Sequence, residues 1–79
     1  MPSWAYLEGM KRMKCRLRIL MAEREITQVQ LREALGLGSH TISKLYNNRF
    51  DRVDRETIEK LCNYFEIEIS ELFVLRDEE

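Results

Sequence analysis

Proline occurs once in this chain, at Pro2, and glycine three times, at Gly9, Gly36 and Gly38. That scarcity excludes collagenous repeats and Pro-rich or Gly-rich linkers. Gly36-Leu37-Gly38 falls far short of a nucleotide-binding loop. The two cysteines, Cys15 and Cys62, lie far apart, form no metal-ligand spacing and are expected to be reduced core residues. The single histidine, His40, has no Cys, His or acid at ligand spacing, so no metal and no cofactor is expected. Ser39 and Ser43 flank His40, but neighbours on one helix do not place a nucleophile, a base and an orienting group together. Neither cysteine has a histidine base in any motif, and an enzyme is not expected. No apolar run approaches the roughly 20 residues of a membrane span, and nothing reads as a signal peptide. The expectation is a cytoplasmic protein with no membrane partner and no small-molecule ligand in evidence.

What remains is charge and helical periodicity. A chain of 79 residues makes one domain. A domain this small buries only about 60% of the surface of its unfolded form, so a partner subunit would add stability. Net charge is −1, but its distribution is uneven. Residues 11–55 carry eleven Lys/Arg against five Asp/Glu, whereas residues 56–79 carry two against eight. The basic part suits a surface facing phosphates, and the same charges also suit ordinary solvated helix faces. Both readings stay open on charge alone.

Apolar residues Met13, Leu17, Leu20 and Met21 fall on one helical face and predict a first helix over 13–24. Four further starts share one signature, an apolar residue before the cap and another after it. They are Ile26-Thr27 with Leu31, Leu37-Gly38 with Ile42, Val53-Asp54 with Ile58, and Ile69-Ser70 with Val74. Gln30 completes a capping box with Thr27. Ile58, Leu61, Cys62 and Phe65 supply the fourth helix, and Leu72, Phe73 and Leu75 the short fifth. No β alternation is sustained, so the expected fold is an all-α bundle of five helices. Residues 1–10 read as an N-terminal extension, 11–76 as the domain and 77–79 as an acidic tail.

Thr27 to Asn48 is the segment that points to function. Two short amphipathic helices meet at a tight turn where Gly36 tolerates positive φ. Leu31, Leu35, Leu37, Ile42 and Leu45 form an apolar wedge between them. That is the sequence form of a DNA-binding helix-turn-helix, whose second helix protrudes toward base edges. With Ile42, Leu45 and Tyr46 inward, Ser39, His40, Ser43, Lys44 and Asn47 turn outward. Lys44 suits guanine O6/N7, and Ser39 or His40 suits a base or a phosphate. Thr27-Gln28 and Gly38-Ser39 open helices whose free amides attract phosphate. Arg49, Arg52 and Arg55 form a basic loop suited to the backbone or the minor groove, partly neutralised by Asp51 and Asp54. Tyr46 and Phe50 are expected in the core.

Thr27-Gln28, Leu31, Leu35-Gly36-Leu37, Thr41-Ile42-Ser43, Leu45 and Asn47 resemble the Cro/CI-type (XRE-like) helix-turn-helix regulators of bacteria and phages. The resemblance covers roughly residues 13–75 and implies a lambda-repressor-like five-helix domain. It implies a phosphate contact and a bracing role for Gln28. It implies base reading by Ser39, His40 and Lys44, with Thr41 and Ser43 on the same helix. Asn47, Arg49 and Arg52 match positions that contact phosphates or the groove edge. Three positions depart from the family pattern. Arg32 stands where a small Ala is usual, Met21 and Tyr46 replace an Arg–Glu pair, and Gly38 replaces a Ser cap.

Taken together, these residues predict a sequence-specific regulator of transcription that binds double-stranded DNA as a homodimer and acts as a repressor. Phe73, Val74 and Leu75 are the candidate dimer surface, with Trp4 and Tyr6 beside them. The competing expectation is a protein-binding module, such as an antitoxin-like partner or an assembly helix-turn-helix.

Overall fold

In the computed structural model, described over residues 11–76, five helices enclose one core and a two-stranded sheet closes one side. The elements run β1 (Arg12–Cys15), α1 (Leu17–Glu23), α2 (Gln28–Leu35), α3 (Ser39–Tyr46), α4 (Arg55–Phe65), α5 (Ile69–Leu72) and β2 (Phe73–Arg76). The five helices agree with the sequence reading, and the sheet is an addition to it.

The local signals place the helix starts. Thr27 caps α2: its Oγ1 accepts from the Gln30 amide at 3.1 Å, and the Gln30 side chain accepts from the Thr27 amide at 2.9 Å. Gly38 and Asp54 are the N-caps of α3 and α4, and neither makes a side-chain cap bond. Gly36 ends α2 at φ 68°, a left-handed conformation in which an added Cβ would be strained.

The core holds Leu17, Leu20, Met21, Leu31, Ile42, Leu45, Leu61, Phe65 and Leu72. Of the expected staple residues, Ile26, Leu37, Val53 and Ile58 pack against it half-buried, as do Tyr46 and Phe50, whereas Ile69 is 56% exposed. On α4 the buried stripe is Thr57, Leu61 and Phe65, with Ile58 and Cys62 at its flank. That stripe is rotated from the expected apolar face because α4 packs against both α2 and α5.

Both ends of the chain depart from helical periodicity. Residues 12–15 form a strand, so the first helix begins at Leu17 and Met13 is 49% exposed. Residues 73–76 form its antiparallel partner, and α5 stops at Leu72 with Glu68, not Ser70, at its N-cap. Register pairs Arg12 with Arg76, Met13 with Leu75, Lys14 with Val74 and Cys15 with Phe73. The Arg16 amide extends the ladder by donating to the Leu72 carbonyl at 2.7 Å. Phe-Val-Leu is a β-favouring run, and four residues of α5 are too few to carry it on as helix.

Asn48 locks this ribbon to the end of α3. It adopts φ 57°, which asparagine tolerates, and its side chain brackets one residue of β1. The Cys15 amide donates to Asn48 Oδ1 at 2.6 Å, and Asn48 Nδ2 donates back to the Cys15 carbonyl at 3.3 Å. The amide thus stands where a third strand would pair. Asn48→Ala leaves both Cys15 groups without this partner and is expected to cost about 1–3 kcal/mol. Thermal melts of the two proteins check it, and an unchanged Tm would refute the bracket.

Among the described residues three cations are spent on helix C-termini. Arg24 Nη2 donates to the Phe65 carbonyl at 2.5 Å, Lys60 Nζ to the Leu35 carbonyl at 3.2 Å and Arg16 Nη1 to the Glu71 carbonyl at 3.0 Å. Each satisfies a carbonyl that has no partner within its helix and meets the negative end of the helix dipole. The sequence-level surplus of positive charge therefore overstates what is free to meet a partner.

Burial pushes the Cys15 thiol up to about 11, against a small opposing effect of the Leu17 backbone. Cys62 is also raised, by burial and by the Glu68 and Glu71 carboxylates. A thiol raised in the folded state stabilises the fold fully below the unfolded value near 9. That contribution disappears as pH rises toward 11, so stability is expected to fall between pH 9 and 11. At pH 7.5 Cys62, which is half-buried, is expected to react with a thiol reagent before Cys15, which is 4% exposed. Peptide mapping after timed alkylation checks the order.

Candidate nucleic-acid interface

The turn at Gly36–Gly38 sets α3 on the surface with one face in the core. Ile42 and Leu45 are each 1% exposed, whereas Ser39, His40, Lys44 and Asn47 lie open to solvent. Thr41 and Ser43 are half-buried at the margin of that face. Four of the five residues expected to face outward do so, and Ser43 is the exception, half-buried where it was expected in solvent. Gln28 is half-buried in the first turn of α2, and Arg49 and Arg52 are exposed beyond α3.

The structure brings part of this set together. A cleft of about 250 Å³ runs between α3, the following loop and the start of α4. His40, Lys44 and Arg52 line it with Asp54, over a floor that includes Leu45, Phe50 and Val53. Gln28 and Arg49 do not line that cleft. Asp54, the N-cap of α4, makes no side-chain cap bond at this end of the cleft.

Asn47 is arranged differently from its neighbours. Its Nδ2 donates to the Ser43 carbonyl at 2.9 Å and to Ser43 Oγ at 3.3 Å. Its own backbone amide also donates to the Ser43 carbonyl, at 3.0 Å.

The departures from the family pattern resolve locally. Arg32 is exposed, so its size does not hold α2 away from a neighbour. Met21 is 3% exposed in the core and Tyr46 packs against that core, an apolar replacement for an ion pair. Arg18 stacks on the Tyr46 ring at 5.8 Å from its centroid.

Three residues escaped the sequence reading. Thr57, 6% exposed, lines the cleft from α4, and its only signal was its place three residues after the Asp54 cap. Arg18 and Asn48 gave no local signal, because each acts on a residue far away in sequence.

The profile of the Cro/C1-type HTH DNA-binding domain matches residues 16–78. This chain belongs to that family. No curated protein matches it. Among solved structures it is similar to the transcriptional regulator VanUg (Form II), with a TM-score of 0.70 and 25% identity. That similarity covers 89% of this chain and 91% of the other. The family and its structural neighbour make this a DNA-binding, helix-turn-helix domain of transcription regulation.

The expected dimer surface needs correction in form. Phe73 and Val74 are half-buried strand residues, not part of the fifth helix, and Phe73 packs edge-on against Phe50 with centroids 5.8 Å apart. Leu75 is 65% exposed beside Met13. Trp4 and Tyr6 lie outside the described residues. Among the described residues no helix is long and apolar enough to cross a membrane.

Proposed function

We propose that this domain is a sequence-specific repressor that binds double-stranded DNA with α3 in the major groove. The observation that carries the reading is the polar, solvent-facing row of Ser39, His40 and Lys44 on the second helix of the motif. Lys44 supplies a cation for guanine, and His40 and Ser39 supply shorter hydrogen-bonding groups. Gln28 at the start of α2 and Arg49 and Arg52 beyond α3 set the register through phosphates. The cleft between α3 and α4 offers backbone phosphates a second seat beside Arg52 and the start of α4.

One copy of α3 reaches too few bases for tight binding. A homodimer with its two helices about 34 Å apart meets two half-sites on one face of the duplex. Exposed Leu75 and Met13 are the described candidates for the contact between copies. Repression follows from occupancy of a promoter, and the cytoplasm of a bacterium is the compartment in which this chemistry operates.

Selection of randomised duplex DNA by the purified chain at about 150 mM salt tests the proposal. An enriched palindrome, with half-sites one helical turn apart, is the expected result. Retention that is weak, salt-sensitive and without enrichment would overturn it in favour of a protein partner.

A further inference from the structure

The stripe of α4 that faces the core contains a hydroxyl. Thr57 is 6% exposed and shares that stripe with Leu61 and Phe65. A buried hydroxyl is ordinarily hydrogen-bonded, because an unpartnered one carries a cost that valine at the same place would not. The Thr57 hydroxyl bonds to no described residue. No side-chain oxygen of the described residues is both enclosed and without a partner, so this hydroxyl keeps an opening. Thr57 lines the cleft between α3 and α4, and the opening is onto that cleft.

The rest of the lining sets what fills it. Lys44 and Arg52 bring two permanent cations against the carboxylate of Asp54, and His40 adds an imidazole. No described residue holds the head group of Lys44 or Arg52. Leu45, Phe50 and Val53 make part of the floor apolar, which keeps water away from one side of any group bonded there. A hydroxyl can donate or accept, but beside two cations the fitting partner is an anion, and an anion accepts. A phosphate oxygen takes the hydroxyl proton and the neighbouring positive charge together.

We propose that Thr57 is a buried ligand of one DNA phosphate, seated in this cleft beside Arg52. This inference rests on the DNA-binding reading above, which gives Thr57 no part. Cations attract a phosphate from many directions, whereas a donor fixed in the core stripe of α4 holds it at one point. That point sets the register of α3 against the backbone while Lys44 stays toward the bases. Thr57 is thus a small loss of stability kept for binding.

The test uses two substitutions in the full-length chain. Thr57→Val keeps the shape of the side chain and removes the hydroxyl, and Thr57→Ser keeps the hydroxyl. Thermal melts and fluorescence anisotropy compare both with wild type on the duplex that wild type selects. Thr57→Val is expected to melt no lower than wild type, because the free protein loses no bond, yet to bind about tenfold more weakly. The loss is expected to be equal on selected and unrelated duplexes, since a phosphate contact carries no base preference. The slope of log K against log salt is expected to stay unchanged, because no charge is removed. Thr57→Ser is expected to retain wild-type affinity.

A clear fall in the Tm of Thr57→Val would show that the hydroxyl holds the fold and would overturn the proposal. Equal affinity of Thr57→Val and wild type would overturn the contact and leave DNA binding intact. A loss confined to the selected duplex would make Thr57 part of base reading and would overturn it too. A wild type that binds no duplex overturns the DNA-binding reading and this contact with it. Titration with inorganic phosphate at constant ionic strength, followed by the Thr57 amide in NMR spectra, checks the source of the phosphate. No saturating shift in the millimolar range is expected, and a saturating one would assign the cleft to free phosphate instead of DNA.

Discussion

Phe65→Ala is expected to lower the unfolding free energy of the domain by about 3–5 kcal/mol. Phe65 is fully buried at the end of α4, and three groups depend on its ring. The Arg24 guanidinium sits 5.1 Å from its centroid, the Tyr64 ring packs edge-on at 5.2 Å, and the aliphatic core closes around it. Truncating a buried phenylalanine costs about 3–5 kcal/mol, because the surroundings only partly collapse into the space. Domains hold about 0.05–0.15 kcal/mol of stability per residue, so this change removes a large share of the total. Arg24 would also lose the face it stacks on, although its bond to the Phe65 backbone carbonyl survives the substitution. A urea titration at fixed protein concentration measures the change. A loss under about 1 kcal/mol would show that Phe65 does not organise the core. Fixed concentration matters because association of two copies adds apparent stability.

Reversing the charge at Arg49 and Arg52 is expected to lower DNA affinity by at least about 100-fold at low salt. Both residues are exposed beyond α3, and Arg52 lines the cleft with His40 and Lys44. Neither is among the cations spent on helix ends, which are Arg16, Arg24 and Lys60. Each phosphate contact removed lowers the slope of log K against log salt by about 1. The double variant Arg49→Glu/Arg52→Glu should therefore flatten the salt dependence by about 2 per protomer. Fluorescence anisotropy at several salt concentrations reads both quantities. Unchanged affinity, with an unchanged slope, would remove the loop from the interface. Weakening at every salt concentration with the slope preserved would mean that the variant disturbed α3 and left the phosphate contacts in place.

Much of the helix-turn-helix was legible without coordinates, for a reason that can be stated residue by residue. Thr27, Gln30, Gly36 and Gly38 act within one turn of chain, through caps and a left-handed bend. Leu31, Ile42 and Leu45 repeat at helical spacing, so the faces of α2 and α3 follow from periodicity. Once those faces are assigned, the exposure of Ser39, His40, Lys44 and Asn47 follows as well.

Where the central helices begin, which way α3 faces and the tight turn between α2 and α3 thus follow from local sequence. The two ends of the domain follow from long-range pairing instead. Met13 and Leu75 carry patterns that also suit helices, and only their pairing across the length of the chain makes them strands. Asn48 bracketing Cys15, Arg24 capping α4 and Lys60 capping α2 are likewise contacts between distant residues. Whether a cation faces a phosphate or a carbonyl depends on what lies opposite it in space. Local propensity fixes the dihedral angles of a short segment, whereas a partner more than a few turns away enters the free energy only after the chain has folded.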